Sequence, residues 1–162
     1  MTLLRAFAFT AIFCLSGPAF AQGTKVAFGT IQQDTTAPVE VSADELNVDQ
    51  ETGEAIFTGN VVIVQGDMRL SAARVLVLYR QDQAGIERLE ATGDVTLVSG
   101  QDAAESQRAD YDIDTGVIVM TGNVLMAQGN NAISSDRMTV DLDGGTARME
   151  GRVKTILQTG SD

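Results

Sequence analysis

A three-residue signature, Gly-[Asn/Asp/Arg]-Val, occurs four times in the chain, at Gly59-Asn60-Val61, Gly93-Asp94-Val95, Gly122-Asn123-Val124 and Gly151-Arg152-Val153. The spacings are 34, 29 and 29 residues, and self-similarity at a fixed period marks one supersecondary unit used repeatedly. A second glycine follows seven positions later in the first three copies, at Gly66, Gly100 and Gly129. Another precedes by six at Gly53, Gly116 and Gly145; the second copy has Gly85, eight before Gly93, which fits a two-residue insertion.

Between the glycines apolar residues alternate, as in Val61/Ile63, Val75/Val77/Tyr79, Val95/Leu97, Tyr111/Ile113, Val124/Met126 and Met138/Val140/Leu142. Period two predicts strands. Carboxylates take the opposite phase or the strand ends, so one sheet face is expected to be wet. Past the first residues no stretch keeps a 3.6-residue apolar period. The expected fold class is therefore all-β, with two to four short strands per repeat stacked into an antiparallel sandwich or open-ended roll.

Aligned copies place equivalent residues in columns. Leu46, Val75, Ala109 and Met138 form one; Val48, Val77, Tyr111 and Val140 a second; Val61, Val95, Val124 and Val153 a third; Phe57, Ala91, Met120 and Met149 a fourth. All four line the interior if the repeats stack in register.

The first 21 residues read as an address. Arg5, the apolar run Ala6 to Leu15, the breaker Ser16-Gly17-Pro18 and the tripeptide Ala19-Phe20-Ala21 have the layout of a cleavable secretory signal cut after Ala21. The run is short of the ~20 residues a membrane-spanning helix needs. Cys14, the one cysteine, lies inside it, after Ala11-Ile12-Phe13, which lacks the small residue of a lipoprotein processing site. Cleavage leaves 141 residues, 162 less the first 21, without cysteine. Such a chain suits an oxidising compartment and must be held by its core alone. The expected organisation is a signal over 1–21, a loose polar lead over 22–37, one repeat domain over 38–158 and a short tail over 159–162. The formal charge of −11 becomes −12 once Arg5 is lost, and the basic residues do not cluster. Nucleic acid and anionic surfaces are then repelled.

The chain has no histidine, and its lysines are Lys25 and Lys154. The usual general bases, nucleophile partners and soft metal ligands are thus missing, so no catalytic residue, metal ligand or cofactor is expected. A carboxylate pair could still serve a glycosidase, but Asp and Glu fall where a solvated strand face would put them. Asp112-Ile113-Asp114-Thr115-Gly116 and Asp141-Leu142-Asp143-Gly144-Gly145 read as turns rather than calcium loops, since no closing glutamate follows. Ser42, Ser71 and Ser135 have no histidine to activate them.

Met120, Met126, Met138 and Met149 give the interior polarizable walls. Two readings stay open on the residues alone: a filled core, or a groove that opens to hydrocarbon. Each buried methylene contributes ~0.8 kcal/mol, so one long acyl chain offers on the order of 10 kcal/mol without any polar motif, against ~1 for a net hydrogen bond.

The runs Phe57-Thr58-Gly59-Asn60-Val61-Val62-Ile63-Val64-Gln65-Gly66 and Leu70-Ser71-Ala72-Ala73-Arg74-Val75-Leu76-Val77 closely resemble the repeat of the OstA-like family, the LptA type of lipopolysaccharide-transport protein. Met120-Thr121-Gly122-Asn123-Val124, Ser135-Asp136-Arg137-Met138-Thr139-Val140 and the entry Ala37-Pro38-Val39-Glu40-Val41-Ser42-Ala43-Asp44 carry the same pattern, so the resemblance runs from about Ala37 to Leu157. It implies an open-ended β-jellyroll in the periplasm that carries lipopolysaccharide with its lipid A chains inside. The groove residues are then Leu46, Val48, Phe57, Val61, Ile63, Val75, Val77, Val95, Leu97, Tyr111, Ile113, Met120, Val124, Met126, Met138 and Val140. It further implies that Val39 and Val41 meet an LptC-like inner-membrane partner. Val153, Thr155 and Leu157 would meet a second copy head to tail or an LptD-like outer-membrane partner. The chain's acidity offers no clamp for lipid A phosphates, which leaves the headgroup in water. Two rivals are a structural or adhesive repeat protein with a filled core and a carboxylate-dependent carbohydrate enzyme.

Overall fold

The structure is a computed structural model that describes residues 24–27, 34–80 and 85–157; the expected signal segment and tail lie outside them. The fold is all-β, as expected, and every pairing is antiparallel. Eleven strands run in order: β1 Thr24–Ala27, β2 Glu40–Ser42, β3 Glu45–Asp49, β4 Glu54–Gln65, β5 Met68–Tyr79, β6 Ile86–Ser99, β7 Asp102–Asp112, β8 Val117–Gln128, β9 Asn131–Asp141, β10 Thr146–Glu150 and β11 Lys154–Ile156. They form one sheet in the order β1-β10-β9-β8-β7-β6-β5-β4-β2, with β3 also on β4 and β11 also on β9. From β4 to β10 each strand neighbours the next in sequence. A repeat thus supplies two long strands rather than several short ones.

What makes the strands long and the sheet a roll is the signature itself. Gly59 and Asn60, Gly93 and Asp94, Gly122 and Asn123, and Gly151 and Arg152 all have positive φ, between 43° and 86°. Two successive left-handed residues cannot continue a strand. The ladder slips at the first three of these points, between Thr58 and Val61, Thr92 and Val95, and Thr121 and Val124, and at the fourth β10 ends. Glycine enters this region freely and Asn or Asp at modest cost, which explains the composition of the signature. Gly93 meets a second constraint: a Cβ there would sit 2.8 Å from the Cβ of Ala73.

The signature bends β4, β6 and β8, their partners β5, β7 and β9 shift register at the same level, and the sheet becomes two half-sheets with facing inner sides. The contact between Tyr111 and Gln65 establishes this. Tyr111 shares a register row with Val77 and Ala55, in the first arm of β4, whereas Gln65 ends the second arm; yet the Tyr111 hydroxyl donates to Gln65 Oε1 at 2.5 Å.

Register turns the expected columns into rows that run along the stack. In the first arm one row joins Leu46, Phe57, Val75, Ala91, Ala109, Met120, Met138 and Met149. The first and fourth columns of the sequence are therefore a single row, because their members face each other across consecutive strands. The next row joins Val48, Ala55, Val77, Leu89, Tyr111, Ile118, Val140 and Ala147. In the second arm Ile63, Leu70, Leu97, Ala104, Met126 and Ile133 make a row, beside the pairs Val61 with Ala72, Val95 with Ser106, and Val124 with Ser135.

The N-terminal stretch, expected to be a loose lead, is held where it is described. β1 pairs with β10 from Thr24 opposite Met149 to Ala27 opposite Thr146. Asp34 to Ala37 forms a turn whose carbonyls receive the Gln65 amide. Its polar composition hid this because the partners are non-local: an open strand edge and a buried amide that needs acceptors.

Candidate lipid groove and docking edges

Twelve of the sixteen expected groove residues lie on inner faces within the core at 0–1 % exposure: Val61, Ile63, Val75, Val77, Val95, Leu97, Tyr111, Met120, Val124, Met126, Met138 and Val140. Phe57 and Ile113 are partly buried and pack against that core. Leu46 and Val48 differ, at 56 % and 57 % exposure. Both are on the inner face in register with Phe57 and Ala55. They are uncovered because β3 is the end strand of its arm, with no further strand beyond it among the described residues. The apolar rows therefore run buried through the body and emerge into solvent at the β3 end.

The same walls include Met68, Leu70, Leu89 and Ile118, all nearly fully buried and absent from the expected set. Leu89 and Ile118 stand two residues before Ala91 and Met120, so the period that found the columns could have found them. The Val153 column breaks at its last member, which is exposed, since β11 begins only at Lys154 and pairs alone with β9.

The border opposite the bend is polar. Gln65, 3 % exposed, shares a row with Met68, Ser99, Asp102 and Gln128. Gln65 Nε2 donates to the carbonyls of Thr35 and Ala37 at 2.9 and 3.0 Å, and Oε1 receives the Tyr111 hydroxyl. Gln128 Nε2 donates to the Ala27 carbonyl and to Asp102. Burial first, and the charge of Asp143 second, push the Tyr111 phenol up to about 12. It is neutral at physiological pH and donates its proton across the border.

On the outer face Arg108 is held by Asp110 and Glu90, so these carboxylates neutralise a guanidinium. Asp112 accepts from the backbone and hydroxyl of Thr115, which hold its carboxyl below the ordinary range. Asp141 accepts from Gly144, so the would-be calcium loops are hydrogen-bonded turns. Among the described residues no group of three or more His, Cys, Asp or Glu is placed to hold a metal ion. A surface hollow of about 580 Å³, lined by Val48, Asp49, Gln50, Gly53, Glu54 and Tyr79, lies at the β3 end.

The expected docking residues divide between the ends. Val39 and Val41 are partly buried against the core, Val41 opposite Ile63. Val153 and Leu157 are exposed, and Thr155 lies opposite Ile133.

Residues 40–146, which make up most of this bent, repetitive sheet, match one family model, described as LptA/(LptD N-terminal domain) LPS transport protein. The chain belongs to this family. It is similar to an uncharacterized protein of Rhizobium meliloti (strain 1021), 29 % identical over 113 residues, which are 65 % of this chain and 61 % of that protein. It is also similar to the lipopolysaccharide export system protein LptA of Escherichia coli (strain K12), 27 % identical over 84 residues, 52 % of this chain and 40 % of that protein. The match thus spans less than two thirds of either relative's length. The crystal structure of LptH, the LptA-homologous periplasmic component of the lipopolysaccharide transport device of Pseudomonas aeruginosa, shares the fold with a TM-score of 0.68. Identity there is 17 %, with 78 % of this chain and 99 % of that one covered.

Proposed function

We propose that this member of the LptA-type family is a non-enzymatic periplasmic carrier that shields lipid A acyl chains between its two half-sheets and serves as one unit of a bridge toward the outer membrane. The observation that carries the reading is the continuity of the apolar rows, from Met149 at one end to the exposed Leu46 and Val48 at the other. The facing walls are closed on each other. Parting them for hydrocarbon exchanges one apolar contact for another, so little of the ~25 cal/mol per Å² of burial is lost. The main local cost is the polar border, where one hydrogen bond contributes ~1 kcal/mol net. The bend, fixed by backbone geometry, is the hinge side that stays joined while the polar border parts. The expected LptC-like partner would meet β2 and β3, and an LptD-like partner or a second copy would meet β10 and β11, by extension of the sheet.

Photo-crosslinking in cells tests this. A crosslinker at Val77 or Ile118, on the inner rows, is expected to capture lipopolysaccharide, and one at Val119, next to Ile118 on the outer face, is not. The near-complete burial of the inner rows favours a second reading, a dry structural repeat. That reading predicts no lipid adduct from any of the three positions.

A further inference from the structure

We infer that β1 is a displaceable cap that occupies, on β10, the place where strand β3 of a second copy of this chain would dock. The inference rests on the bridge reading above. It is carried by register. β10 pairs with β9 on one side and with β1 on the other. β1 runs antiparallel to β10, with Thr24 opposite Met149 and Val26 opposite Ala147. Those two positions on β10 end the two inner rows that Leu46 and Val48 begin on β3.

Because strand direction alternates along the stack, the β3 of a copy following in the same orientation would also run antiparallel to β10. It would set Leu46 opposite Met149 and Val48 opposite Ala147. The segment Thr24-Lys25-Val26-Ala27 thus imitates Leu46-Asn47-Val48-Asp49 position for position.

The two occupants are unequal. β1 is four residues long, with Val26 partly buried against the core and Ala27 also tied by Gln128 Nε2. β3 is five residues long and brings Leu46 and Val48, both more than half exposed in the free chain. Docking β3 would bury apolar surface that β1 does not possess. β1 wins at low concentration because it belongs to the same chain and acts at a high effective concentration. The cap blunts an edge that would otherwise template open-ended stacking. The other arm stays available, since among the described residues β11 carries no further strand at this end and β2 carries none at the opposite end.

Sedimentation velocity over a concentration series tests the cap on the purified chain without lipid. Val26→Asp, which spoils the fit of β1, is expected to raise end-to-end association at least tenfold. Adding Val48→Glu to it should return association to the original level, because the docking strand is β3. A disulfide lock, Lys25→Cys with Arg148→Cys in a Cys14→Ser background, joins two exposed register partners and is expected to suppress association until reductant is added. Unchanged association in both the uncapped and the locked protein overturns the cap, as does association of the uncapped protein that ignores Val48→Glu. Lipid crosslinking of the same proteins is read separately. Loss of lipid adducts with the association pattern intact sinks the carrier reading and leaves the cap, and the reverse outcome does the opposite.

Discussion

Along one long border of the roll the arms are joined by the chain itself, through Gly59-Asn60, Gly93-Asp94, Gly122-Asn123 and Gly151-Arg152. Along the other they meet through side chains, with Tyr111 on Gln65 and Gln65 on the carbonyls of Thr35 and Ala37. The first border is backbone geometry repeated every 29 to 34 residues, fixed by covalent chain at every copy. The second is a short set of hydrogen bonds, each worth ~1 kcal/mol net, and can part while the strands stay paired. The difference predicts where the two half-sheets would part first: at the seam and not at the hinge.

Gly93→Ala attacks the hinge and is expected to have the largest effect. Its φ of +83° lies in the region that L residues avoid, and the new Cβ would stand 2.8 Å from that of Ala73. Backbone strain and overpacking together should lower unfolding free energy by about 4 kcal/mol, a fall in Tm on the order of 10 °C or more. Urea denaturation followed by circular dichroism checks this; a loss below about 1 kcal/mol would mean that the bend yields more easily than its geometry indicates.

The seam should break with alkali. The Tyr111 phenol titrates near 10 in an unfolded chain and at about 12 in the folded one. Between those values the folded state keeps a proton that the unfolded state has lost, so stability present below pH 10 falls as pH rises toward 12. The loss amounts to about 3 kcal/mol at most. Tyr111→Phe should lack that slope in a pH series of denaturation curves. At neutral pH the same substitution leaves Gln65 Oε1 buried without its donor and should cost about 2 kcal/mol. If the seam is the side that opens, Tyr111→Phe should also raise the yield of lipid adducts from Val77, an increase that Gly93→Ala has no reason to produce.

The hinge was legible in the sequence and the seam was not, for a physical reason. Two consecutive left-handed residues require particular residue types, so Gly followed by Asn or Asp recurs visibly, and alternation around it identified Val61, Val95 and Val124 as interior without any knowledge of the bend. The seam depends on which strand ends meet after folding. Gln65 and Tyr111 are 46 residues apart, and although one lies in the repeated run and the other in an interior column, nothing in the sequence pairs them. For the same reason β1 passed for a loose lead: Thr24-Lys25-Val26-Ala27 has ordinary composition, and its role comes from the edge of β10, over a hundred residues away. Leu46 and Val48 show the converse, since their phase placed them on the inner face while only topology reveals that no described strand covers them.

The last copy of the signature allows the finest test of the hinge. Arg152 has φ of +43° where the first copy has Asn60 at +47°. The surroundings are equivalent: the backbone N–H of Asp136 donates to Gly151 as that of Asp44 donates to Gly59. The Arg152 guanidinium meets Asp136 where the Asn60 amide meets Asp44. An arginine in this conformation costs roughly 1 kcal/mol more than an asparagine, whose short polar side chain tolerates it. The ion pair it makes is solvent-exposed and adds little in return. Arg152→Asn should therefore stabilise the fold by about 0.5 to 1 kcal/mol, read as a small rise in the urea midpoint with the slope unchanged. A fall instead would mean that the Arg152–Asp136 contact contributes more at the β11 end than its exposure indicates, and that this last hinge is fixed by charge rather than by backbone geometry.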